Sequence, residues 1–165
     1  MEQFTITPAE ATLAKWTHEI FLINLVFNHI FVFCVTILLS KTYPYSLGIV
    51  PIASFIMIAY IEFKSRSIAK SAESTFVRAH WRIGARRNRI FLGLLSTTCF
   101  ISVGGVYLSE AQHWNAIATK ALIGGFGLLP FMVALLILVV LGNDSVHMAR
   151  NGKLPDNYLS KNPDL

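Results

Sequence analysis

Four apolar stretches, at positions 20–39, 45–63, 90–108 and 121–141, constrain this chain more than any other feature. A helix needs roughly 20 predominantly apolar residues to cross about 30 Å of hydrocarbon, and each stretch is about that long with few or no charges. Only 14% of the 165 residues are charged and 54% are hydrophobic, whereas a soluble domain carries about 25% charged residues. The chain is therefore expected to be an integral membrane protein. It is expected to be all-α, because inside lipid a helix pairs its backbone N–H and C=O groups within the segment. The stretch at 45–63 is the least regular, with Pro51 in its first turns and Glu62 at its end.

Basic residues set the expected orientation. Of fourteen Lys and Arg, eight lie between the second and third stretches: Lys64, Arg66, Lys70, Arg78, Arg82, Arg86, Arg87 and Arg89. Only Lys41 and Lys120 lie in the other two connections, while Lys15 precedes the first stretch and Arg150, Lys153 and Lys161 follow the last. The positive-inside rule then places both termini and the long connection in the cytoplasm. The expected architecture is a single membrane domain over residues 1–165, an antiparallel four-transmembrane-helix bundle. It carries a basic cytoplasmic helical extension at 64–89, between helices 2 and 3, and a cytoplasmic tail at 142–165. A plasma membrane of the bacterial inner-membrane kind suits this charge bias. Glu2, Glu10 and Glu19 before the first stretch argue against a cleaved leader. The net charge of +5 follows from this topology, and anionic lipid rather than nucleic acid is the expected counterpart of the basic loop.

The extension is patterned as helix. Ile61, Ile68, Ala72, Phe76, Ala79 and Ile83 recur at helical spacing, and Arg78, Arg82, Arg86 and Arg89 form a second stripe. A helical hairpin turning near "SAEST" fits better than a helix lying on the headgroups, since no Gly or Pro interrupts positions 52–83. Trp81 among the arginines keeps headgroup contact in view, so Arg78, Arg82, Arg86, Arg87, Arg89 and Trp81 are the expected lipid or partner contacts. Upstream, Thr7, Pro8 and Glu10 have the spacing of a capping box, which starts a first helix of about thirty residues. Downstream, "GND" predicts a turn, with Asp144 or Ser145 capping a short helix "VHMAR" that Gly152 and Pro155 end. The polar tail beyond is either a docking strand or a free terminus.

The first stretch carries Asn24, Asn28 and His29. On a wheel at 100° per residue, His18, His29 and Thr36 fall within about 20° of one another, and Asn24 and Asn28 lie roughly 80 to 120° to one side. Such a sector avoids lipid and faces protein or water. It serves as interhelical glue or lines a path for an ion or proton. The third stretch puts Thr98, Ser102 and Gly105 on one face and Gly93 and Thr97 on another, and the fourth opens with Gly124, Gly127 and Pro130. These small residues predict close helix packing.

Catalytic chemistry is absent from the pattern: there is no nucleophile with a base, no carboxylate pair in an apolar pocket and no Gly-rich phosphate loop. No enzyme activity is expected, no metal motif is present, and no cofactor is required. A haem b or metal ion held near the cytoplasmic surface by His18 with His80 or His147 is the variant to test. The functional expectation is a non-catalytic accessory subunit that docks into a larger membrane complex of respiratory, transport or secretion type. Its partners would be membrane lipids and other membrane-protein subunits or copies of itself. The rival expectation is a homo-oligomeric ion channel or small transporter lined by the polar sector of helix 1, and a haem-binding anchor is third.

Overall fold

The structure, a computed structural model, describes residues 1–163. It contains four helices long and apolar enough to cross a membrane: α1 (Pro8–Leu39), α2 (Pro44–Ala69), α3 (Thr75–Ala111) and α4 (Ile117–Arg150). The protein is a mainly helical membrane protein. Its α1 starts as its sequence dictates: the Thr7 hydroxyl accepts from the Glu10 N–H at 3.2 Å, and the Glu10 carboxylate accepts from the Thr7 N–H at 2.8 Å. This reciprocal pairing satisfies two of the backbone donors that a helix start leaves free.

At 1.5 Å per residue, the 37 residues of α3 extend about 55 Å, well beyond one hydrocarbon thickness. The excess is used at the end holding the α2–α3 turn and both termini. There Ala14, Ile68, Phe76, Val77, Ala79, Trp81, Ile83, Ala149 and Leu154 form a buried core of their own. A second core, built on Phe21, Leu25, Ile58, Ile61, Phe91, Leu95, Phe131 and Leu135, fills the apolar part. Hydrogen bonds tie helix to helix along the way: Ser65 Oγ donates to the Trp81 carbonyl at 3.3 Å and Asn88 Nδ2 to the Ile58 carbonyl at 3.0 Å.

The termini meet. Glu2–Gln3 (β1) pairs antiparallel with Lys153–Leu154 (β2), Glu2 opposite Leu154 and Gln3 opposite Lys153. The Phe4 N–H extends the clip to the Gly152 carbonyl at 2.8 Å. Gly152 has φ of 65°, and a Cβ there would lie 2.5 Å from the Phe4 carbonyl oxygen, so both backbone hand and close approach call for glycine. The strand that docks is thus Lys153–Leu154, before Pro155, whereas positions 156–161 of the polar tail are wound in turns.

Two expectations are corrected here. The chain does not turn at "GND", because α4 continues without interruption to Arg150. Gly142 is a close-packing position: a Cβ on it would lie 2.8 Å from Leu22 Cδ2, so its bare backbone lets α4 approach α1. Nor does Trp81 reach headgroups. It is fully buried, and its indole Nε1–H donates to the Leu13 carbonyl at 3.0 Å.

Candidate functional site

The middle of α1, Ile23–Val32, is wound as a π-helix. In that winding the carbonyl of residue i accepts from the N–H of residue i+5, and a wheel at 100° per residue loses its phase. Asn24, Asn28, His29 and Thr36 consequently all turn inward and are buried. Asn24 Nδ2 donates to Ser54 Oγ at 3.0 Å. Asn28 Nδ2 donates to the Val50 carbonyl at 3.0 Å and to Asn24 Oδ1 at 3.1 Å. The two carboxamides thus stitch α1 to α2. Further along, Thr36 Oγ1 turns back to the Phe33 carbonyl, and the Thr36 carbonyl accepts from Ser46 Oγ at 3.0 Å.

His29 differs from the two asparagines. Its Nδ1 faces the Asn24 carbonyl at 3.0 Å, and a carbonyl only accepts, so Nδ1 carries the proton. A neutral imidazole has one N–H, which leaves a lone pair on Nε2. That atom is buried and has no hydrogen-bond partner among the described residues. The ring sits between Phe91, edge-on at 5.0 Å between centroids, and Phe131 at 5.5 Å. Phe131 also lines a groove of about 350 Å3 between α3 and α4, together with Ile90, Gly93, Leu94, Thr97 and Gly127.

His18 and His80 lie outside the apolar stretches 20–39 and 90–108, fully buried, with His18 Nε2 3.1 Å from His80 Nδ1. The far nitrogen of His80 donates to the Lys153 carbonyl at 3.1 Å. This fixes His80 Nδ1 as the acceptor and His18 Nε2 as the donor, and leaves His18 Nδ1 without a partner. Burial, then the neighbouring His80 and Arg87 charges, hold His18 well below the ordinary imidazole range. Burial pushes His80 down to about 4, with the Lys153 carbonyl opposing and Arg87 assisting. The pair is therefore neutral at pH 7.

The arginines divide by use. Arg87 turns inward to α4, donating to the Leu141 carbonyl at 2.6 Å and to Ser145 Oγ. Burial lowers its pKa, with Asp144 opposing. Arg89 binds Glu62 at 2.8 Å, as does Arg66 at 3.2 Å. Glu19 binds Lys15 and Arg150. Arg78 and Arg82 are half-buried, and Arg86 is exposed.

The small residues also divide. Gly105 and Gly127 are packing positions, where a Cβ would lie 3.1 Å from Ile123 Cγ1 and 3.5 Å from Ile101 Cγ2. Ser102 sits beside Gly127, its Oγ 3.8 Å from that same Cβ position. Thr98 is half-buried on the groove. Gly93 and Gly124 have nothing within 4 Å of a Cβ, and Gly93 and Thr97 are exposed, so they do not close a helix pair within this chain.

His18 and His80 bond to one another, His113 and His147 are exposed, and the described ring neighbours of His29 are phenylalanines. Among the described residues no group of three or more His, Cys, Asp or Glu could hold a metal ion. Sequence reasoning singled out His29 but missed Ser54, Phe91 and Phe131. A serine inside the second apolar run was a signal; the phenylalanines, two of twelve, carried none. Comparison with protein-family models, curated proteins and solved structures finds no match to this chain.

Proposed function

We propose that this protein is a non-catalytic interaction subunit: an antiparallel transmembrane bundle of a bacterial inner membrane, with both termini and the basic hairpin in the cytoplasm. One observation carries the reading. The end of the bundle holding both termini has its own buried core, closed by the β1–β2 clip, so it is a rigid platform rather than a connecting loop. A platform of this kind, displaying Arg86 and other cations, suits the acidic face of a second subunit in a respiratory, transport or secretion assembly. The asparagines support the same reading, since their hydrogen bonds are spent inside the chain rather than turned to a pathway.

Native mass spectrometry of the protein extracted from its own membrane in mild detergent tests this. A complex with a chain of different sequence is expected, and Arg86→Glu should release that chain while leaving the bundle folded. A lone monomer, a homo-oligomer, or a complex indifferent to Arg86→Glu overturns it.

A further inference from the structure

His29 Nε2 is a buried acceptor without a donor among the described residues, and unlike Asn88 Oδ1 and His18 Nδ1, which share that state, it belongs to a ring packed on the wall of a groove. A buried acceptor with no donor is destabilising, yet His29 is only 4% exposed. Its tautomer is fixed by the Asn24 carbonyl, so the lone pair stays on Nε2. What would satisfy it is a hydrogen-bond donor small and apolar enough to arrive through lipid. The route is the groove between α3 and α4, whose wall includes Phe131; the same ring packs on His29. The Phe131 ring therefore touches both the groove and the imidazole. Both the His29 turn and the α4 segment carrying Gly127 are π-helical, a winding enriched at functional sites.

We propose that His29 and this groove form a binding site for a planar, membrane-soluble hydroxyl compound of the phenol or hydroquinone class. The ring enters between α3 and α4, displaces the Phe131 side chain, stacks against Phe91 and donates its O–H to His29 Nε2. Phe91 and Phe131 suit an aromatic ring by offset or edge-to-face contact. The site discriminates by hydrogen-bond sense: a hydroquinone donates, whereas the corresponding quinone offers only carbonyl lone pairs that oppose the one on Nε2. This site goes beyond the interaction role and does not depend on it.

The test is titration of the full chain in lipid nanodiscs with a decyl-substituted benzohydroquinone and with its quinone. Saturable binding of the hydroquinone, tighter than the quinone by about tenfold or more, is expected. His29→Phe should erase that preference, and Thr97→Phe, which fills the groove from its exposed rim, should weaken hydroquinone binding. Should His29→Phe not fold, 15N NMR of wild-type imidazole keeps the test open: hydroquinone should move the Nε2 resonance and leave Nδ1 protonated. Equal binding of both forms, a preference that survives His29→Phe, an unmoved Nε2 resonance, or a Soret shift on adding haem without hydroquinone binding overturns the proposal.

Discussion

Asn28→Leu separates structural glue from a pore lining. The side chain is 2% exposed, and leucine fills nearly the same volume, so a cavity is not the main effect. The substitution deletes the interhelical bond to the Val50 carbonyl, a contact of about 1 kcal/mol in membranes. It also strips Asn24 Oδ1 of its donor, and an orphaned buried acceptor adds at least about 1 kcal/mol. Together these cost about 2 kcal/mol, roughly thirtyfold in the folded-to-unfolded ratio. Unfolding equilibria in bicelles, read by steric trapping, measure it. Asn24→Leu alone should likewise cost about 2 kcal/mol, through the lost bond to Ser54 and the Asn28 N–H left without its acceptor. The double variant should fall short of the sum by about 2 kcal/mol, because neither orphaned group remains once both carboxamides are gone. Strict additivity would refute the network. So would unchanged stability combined with altered conductance in planar bilayers, the signature of a lining residue.

The His18–His80 pair makes stability depend on pH. Both imidazoles are lowered in the folded protein, so the unfolded chain binds more protons. Stability is then full above about pH 6.5, falls as pH drops below it, and has lost roughly 3 kcal/mol from His80 alone by pH 4. Denaturation midpoints between pH 7.5 and 4 check the sign, and His80→Gln should flatten the slope. Gly142→Ala should cost about 1 to 3 kcal/mol by forcing α4 from Leu22, seen as a lower thermal midpoint. Gly152→Ala should open the terminal clip through its positive φ, detected as faster hydrogen exchange at the Phe4 amide with the spans unaffected.

The four helices were legible because apolar length is a property of the sequence itself, and the Thr7 cap because its partner Glu10 is three residues away. What escaped depended on partners distant in sequence. Gly142 reads as a helix breaker until Leu22, 120 positions earlier in the chain, is seen to need its space. Trp81 reads as interfacial from its arginine neighbours, but the Leu13 carbonyl draws it inward. The docking of Lys153–Leu154 required Glu2 and Gln3 to be recognised as its partners.

The polar sector of α1 carries the sharper lesson. Its membership was legible, since residues of that kind do not face lipid cheaply. Its division of labour was not, because that depends on the π winding of Ile23–Val32, which no α-periodic wheel can represent. Pairing i with i+5 brings His29 to the Asn24 carbonyl, which accepts the imidazole Nδ1–H while the Asn24 side chain reaches α2. Asn24 thus performs two tasks with two atoms: its carboxamide fastens α1 to α2, and its backbone leaves the His29 lone pair facing the aromatic core. A change in winding that restored α-helical phase would break both together. Deleting one residue between Asn24 and His29 should therefore cost stability and reassign the imidazole proton in the same variant, whereas Asn24→Leu should cost stability alone.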